Sequence, residues 1–190
     1  MATNYSYLIN ETVEDRSWLK DIALVLGSSI LISLFSPISI PLPFTPVPIA
    51  TQMNVILLLS CFLGSKRALL AVLIYLFQGA IGFPVFSNGA SGIIHLAGPR
   101  GGYLLGYAVA AFVTGFLMER TCNRTSAKAF AAMGIGNLIV YLFGFSWLSH
   151  FIGWGPAFVL GIFPFVIGDV VKLFIATASL KSLRFFRSKA

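Results

Sequence analysis

Long apolar runs separated by short clusters of charge set the plan of this chain. No charged residue occurs between Asp21 and Lys66, between Arg67 and Arg100, or between Lys128 and Asp169. A helix rises about 1.5 Å per residue and roughly 20 apolar residues cross a bilayer, so each run must turn back on itself. Proline and glycine mark the turns. Ser36-Pro37 and then Pro41, Pro43, Pro46 and Pro48 break the first run, because proline lacks a donor and disfavours helix in the residue before it. The second run breaks through Gly79, Gly82, Pro84, Gly89, Gly92, Gly98, Pro99 and Gly101, a stretch too rich in glycine to be one regular helix. The pattern predicts helices over about 21–37, 50–64, 67–82, 103–119, 128–146 and 156–181, with Gly153 to Pro156 as the last break.

The basic residues orient these helices, since they favour the cytoplasmic side. They cluster at Arg16 and Lys20, at Lys66 and Arg67, at Arg120, Arg124 and Lys128, and at Lys181, Arg184, Arg187 and Lys189. With six spans, all four clusters fall on one face. The connections on the other face, 38–49, 83–102 and 147–155, hold only Arg100. The expected fold class is therefore an all-α integral membrane protein of six transmembrane helices with both termini cytoplasmic. It divides into an N-terminal segment 1–20, a membrane domain 21–181 and a basic tail 182–190.

Composition narrows the class further. The 190 residues are 57% hydrophobic and 10% charged, whereas soluble chains carry roughly 25% charged residues. Mean hydropathy is +0.89. A soluble globule, a disordered chain and a nucleic-acid binder are excluded, and the net charge of +7 reads as a topological signal. The polar, partly acidic start does not read as a signal peptide. Cys61 and Cys122 predict no disulfide, the sequons at Asn4, Asn10 and Asn123 fall on the cytoplasmic face, and no fixed-period repeat is present.

Candidate chemistry lies where polarity interrupts the apolar runs. Asp169 and Lys172, three apart, share one face of the last predicted helix. Charge within a bilayer faces a cavity or a partner, so they form either a polar site or a structural ion pair, with Pro164 and Gly168 loosening the helix before them. The glycine-rich stretch 79–106 offers Asn88, Arg100 and Tyr103, as the wall of a cavity or as a plain external loop. The proline-rich segment 41–54 brings Thr51, Gln52 and Asn54 to the top of the second helix, or merely connects. Trp147, Trp154 and Tyr141 read as interfacial anchors, and Ala23 with Gly27 and Ser29 with Ser33 permit close helix approach. His95 and His150 lack neighbours at metal-ligand spacing, and nothing suggests catalysis or a cofactor. There is no GxxxxGK[ST], so any ATP that drives transport is hydrolysed by another chain.

The runs GAIGFPVFSNGASGIIHLAGPRGGYLLGY, PFTPVPIATQ and GIFPFVIGDVVK, in that set of positions from about 20 to 180, resemble the BioY family, the biotin-binding S components of energy-coupling factor (ECF) transporters. The resemblance implies capture of biotin from outside in a cavity between the outer loops and the last helices, in a bacterial cytoplasmic membrane. It further implies uptake completed by a transmembrane coupling protein and ATPase subunits. The matching site positions are Asn88, Tyr103, Asp169 and Lys172. Biotin itself suits such residues: its rings need apolar walls, its ureido group two acceptors and a donor, its carboxylate a cation. Arg100 stands where the family usually has a small residue, and Ala50 where it usually has Thr, so Arg100 as the carboxylate partner rests on chemistry alone. The small residues of the first helix resemble the face by which S components dock on the coupling protein. An S component for another vitamin and a solitary proton-coupled transporter are the alternatives. Reporter fusions in the Lys66 loop and the Arg124 loop should report the same, cytoplasmic side; opposite sides would refute the six-span topology.

Overall fold

The computed structural model describes residues 18–40, 43, 45, 47–121 and 126–162. The candidates Asp169 and Lys172, most of the predicted helix 156–181, the bulk of the segment 1–20 and the tail 182–190 lie outside the described residues. Helix α1 (Trp18–Phe35) ends two residues before Pro37, as the restriction on pre-proline residues requires. The proline-rich segment after it is closed at its base by a two-residue antiparallel pair, β1 (Ser39–Ile40) with β2 (Ile49–Ala50). Helix α2 (Gln52–Leu63) and helix α3 (Ser65–Ala80) are joined by Gly64 alone, at φ 80°, a conformation that favours glycine. The glycine-rich stretch contains a 3₁₀ turn at Ser87–Gly89 and a five-residue helix, α4 (Ile93–Ala97). Helix α5 (Gly101–Glu119) and helix α6 (Ser126–Ile152) follow, and α7 (Trp154–Gly161) is the last described element.

Two expectations change. The helix predicted to end near 146 continues to Ile152, so the connection expected over 147–155 shrinks to Gly153, at φ 84°. Nothing before Gly153 breaks the helix, and tertiary burial of Leu148 and Ser149 supports the added turns. Pro156 was expected to be part of the break. It sits instead in the first turn of α7, where a missing N–H costs nothing.

Among the described residues three helices, over Trp18–Phe35, Gly101–Glu119 and Ala127–Ile152, are long and apolar enough to cross a membrane. Helices α2 and α3, at 12 and 16 residues, are shorter. Large apolar side chains such as Ile30, Leu34, Phe77, Leu138, Leu142 and Phe158 point outward, as they do where lipid is the solvent.

Helix α5 is the axis of the packing. Ala110 and Ala111 are fully buried on it. A side chain at Gly102 or Gly106 would run into α6, at Phe143 and Val140 respectively, and Gly115 faces the backbone of the α2–α3 turn. Small residues at such points let backbones approach, which is how helices gain contact energy where lipid supplies no hydrophobic drive. At the basic end, the Glu119 carboxylate accepts from the Ser65 N–H and from Ser65 Oγ, both at 2.8 Å, placing negative charge at the start of α3. Asp21 pairs with Arg67 at 2.7 Å and ties α1 to the same place.

A Cβ at Gly115 would sit 2.5 Å from Ser65 N, a backbone atom that cannot move aside cheaply. Gly115→Ala should therefore cost about 1–3 kcal/mol, seen as a lowered thermal midpoint in detergent; an unchanged midpoint would show that the turn does not rest on α5.

Candidate functional site

At the opposite end of the bundle a narrow cavity of about 30 Å³ lies between the proline-rich segment, the top of α2, the glycine-rich loop and the start of α5. Its walls are mostly apolar and aromatic: Val47, Pro48, Phe86, Leu104, Tyr103 and Tyr107. Among the described residues its polar groups are Gln52, Ser87, His95, Arg100 and the hydroxyl-bearing Tyr103 and Tyr107. That combination is the usual make-up of a small-molecule site. A wider, open groove on the flank of α5 and α6 is lined mostly by apolar residues, Leu105, Leu142, Phe143, Trp147 and Phe151, with Ser146 and His150 among them.

The loop that forms one wall is built around Phe86. Its ring packs edge-on against Tyr75 at 5.7 Å and against His95 at 6.5 Å, and rests over Gly79, where any Cβ would collide with it. Backbone bonds brace the loop: the Phe86 N–H donates to Ala90 O at 3.0 Å, and the Gly92 N–H to Gly79 O at 2.7 Å. The Trp147 indole N–H donates to Gly98 O at 3.0 Å and holds the far end of the loop to α6. Thr45 Oγ1 donates to Leu160 O at 2.9 Å, tying the proline-rich segment to α7.

The candidates fare differently in this arrangement. Tyr103 lines the cavity from the first turn of α5, packs its ring against Gly144, and donates its hydroxyl to Gly161 O at 2.8 Å. Arg100, one residue before α5, also lines the cavity, and partial burial draws its pKa below the ordinary arginine value. Asn88 does not line the cavity. It is exposed in the left-handed region at φ 62°, its N–H donating to Ser39 Oγ at 3.0 Å while Ser39 Oγ donates to its Oδ1 at 2.7 Å. The chain needs a residue that tolerates this backbone and bonds locally, and asparagine does both. Trp147 is a loop tether rather than only an interfacial anchor, while Trp154 is exposed against Phe145 at 5.4 Å.

The proline-rich candidate also separates into parts. Thr51 Oγ1 donates to Ile38 O at 3.1 Å, and Asn54 is buried with both amide atoms unpartnered among the described residues. Of Thr51, Gln52 and Asn54, Gln52 alone reaches the cavity, its Oε1 accepting from Ser36 Oγ and, at 3.0 Å, from the Tyr75 hydroxyl. Phe86, Tyr107 and His95 are cavity residues that the sequence did not single out as such; only the crowding of glycine around them signalled an irregular wall. Among the described residues no group of three His, Cys, Asp or Glu is placed to hold a metal ion.

Together these features define an apolar helical protein with a small-molecule cavity at the end of its bundle opposite the basic one. Comparison with known proteins gives the family. The chain matches the BioY family over residues 6–188 and belongs to it. It is 37% identical over 153 residues, 80% of this chain and 89% of the relative, to the "probable biotin transporter BioY" of Pyrococcus horikoshii. To the "biotin transporter BioY" of Rhizobium etli it is 39% identical over 163 residues, 81% of this chain and 86% of the relative. The solved structure of an S component for biotin from an ECF-type ABC transporter superposes with a TM-score of 0.79 at 25% identity, over 87% of this chain and 91% of the other.

Because Asn88 acts through Ser39, Ser39→Ala should speed amide hydrogen exchange across residues 86–90 by about threefold to tenfold, the worth of one or two exposed hydrogen bonds. Exchange that stays at the native rate would mean the loop is held by something else.

Proposed function

We propose that this protein is the biotin-capturing S component of an energy-coupling factor transporter, a six-span protein of the cytoplasmic (inner) membrane with both termini on the cytoplasmic side. The observation that carries the reading is the cavity itself, aromatic on its walls and cationic at its rim through Arg100, in a chain of this family. It lies opposite the basic end, which the positive-inside rule assigns to the cytoplasm, so it faces the source of the vitamin.

In this reading the fused rings of biotin lie against Phe86, Tyr103 and Tyr107, an apolar surface that removes them from water. Asp169 accepts from the ureido N–H groups and Lys172 donates to the ureido carbonyl, each a charge-assisted hydrogen bond in a site of low dielectric. The carboxylate points outward to Arg100. Asn88 contributes by fixing the loop that closes over the rings. No bond is made or broken in biotin, so the protein binds and releases and is not an enzyme, and it requires no cofactor.

Energy for uptake comes from partner ATPase subunits through a transmembrane coupling protein. The face offered to that partner is the open side of α1. Ala23 and Gly27 are exposed there, with nothing within 4 Å of a Cβ built on Gly27, whereas the other small pair, Ser29 and Ser33, turns inward to Gln78 Oε1 at 3.3 and 3.0 Å. Segments 1–20 and 182–190 are cytoplasmic extensions of a membrane domain over 21–181.

Calorimetric or radiolabelled biotin binding to the purified protein tests the reading. Asp169→Asn, Lys172→Ala and Arg100→Gln should each weaken binding by about tenfold or more, the cost of one charged hydrogen bond. Absence of biotin binding by the native protein, or displacement by thiamin or riboflavin at equal concentration, would remove biotin as the ligand.

A further inference from the structure

Gln52 is the one polar side chain of α2 that reaches the cavity, and its amide is held from behind. Only 2% of the residue is exposed. Its Oε1 accepts from two hydroxyls on two other helices, Ser36 Oγ just after α1 and Tyr75 Oη on α3, which lie 2.9 Å from each other. Both are fully buried and neither lines the cavity. A carboxamide is planar and has an oxygen end and a nitrogen end. With both acceptor directions of the oxygen occupied at the back, the end left for the cavity is the Nε2 donor. Arg100 borders the same cavity, so the donor works beside a positive charge and favours an anionic acceptor.

We propose that Gln52 is a specificity residue of this cavity: its Nε2 donates to the carboxylate of the bound ligand and, with its oxygen pinned by Ser36 and Tyr75, selects a carboxylate over a neutral amide. The proposal rests on the biotin reading above and adds a residue which that reading does not use. A buried donor held in advance gives up no rotamer freedom on binding, and it strengthens toward a charged acceptor. Ser36 and Tyr75 are positioning residues, since they act on the ligand only through Gln52.

The test measures binding of biotin and of biotin amide, its neutral carboxamide, to the native protein and to Gln52→Glu, with thermal unfolding of the unliganded proteins alongside. The native protein should prefer biotin. Gln52→Glu keeps the acceptor for Ser36 and Tyr75 but turns an acceptor toward the cavity, so it should lose about tenfold or more in biotin affinity while holding the amide, narrowing or reversing the preference. A preference unchanged in Gln52→Glu, or an equal loss for both ligands, overturns the proposal. If Gln52→Glu does not fold, Tyr75→Phe serves instead: one pin is removed, Gln52 can turn, and the preference for biotin should narrow by a few-fold. A native-like ratio in Tyr75→Phe likewise overturns it. If the native protein binds neither ligand, the biotin reading fails first, and Gln52 loses its role with it.

Discussion

The close approach of α5 to its neighbours is the constraint on which the rest of the structure depends. Along α5, Gly102 and Gly106 let α6, and Gly115 lets the α2–α3 turn, lie close against its backbone. Where lipid is as apolar as leucine, burial of side chains between helices gains little from solvent, and contact area and a few hydrogen bonds must hold the bundle. Fixing α5 in this way fixes both of its ends. Glu119 then falls on the start of α3, and Arg100 and Tyr103 fall at the mouth of the cavity.

The two ends serve opposite purposes. The basic end is laced by charge: Asp21 to Arg67, and Glu119 to Ser65. The cavity end is held by neutral groups, with Tyr103 on Gly161 O, Trp147 on Gly98 O, and Ser36 and Tyr75 on Gln52. The aromatic walls stand on the same scaffold, since Phe86 leans on Tyr75, which in turn holds Gln52. Rings and amide are therefore oriented by one buried group, and loosening it would disturb both the apolar and the polar parts of the site.

Much of this was legible in the sequence, because the helices are apolar runs and their breaks are proline and glycine. The ends of α1, α2, α3 and α5 fall within a few residues of where those breaks place them. Residues 147–152 were misread because Trp147, Ser149 and His150, with Trp154 just beyond, look like an interface, whereas burial of Leu148 and the bond from Trp147 to Gly98 hold them as helix. Arg100 and Tyr103 stood out as polar groups in an apolar context, and they do line the cavity. Asn88 stood out for the same reason, and its left-handed turn and its bonds to Ser39 became visible only in the structure. Phe86 could not be told from any other core ring. Gln52 was visible as a polar residue at a helix start, but which end of its amide faces the cavity depends on Ser36 and Tyr75, distant in the sequence.

The rings at the cavity end have a consequence for how such a chain can diverge. Phe86 occupies the space above Gly79, Trp147 the space above Gly102, and Tyr103 the spaces above Gly144 and Gly161. Each ring and its glycine form a single inherited unit, since a methyl group gained at the glycine leaves no room for the ring opposite. A lineage can alter such a pair only through both positions together or through an intermediate with a damaged cavity. Change in ligand preference is therefore easier at Gln52, Ser87 and Arg100, which face the cavity without a glycine partner, than at the rings that give the cavity its shape.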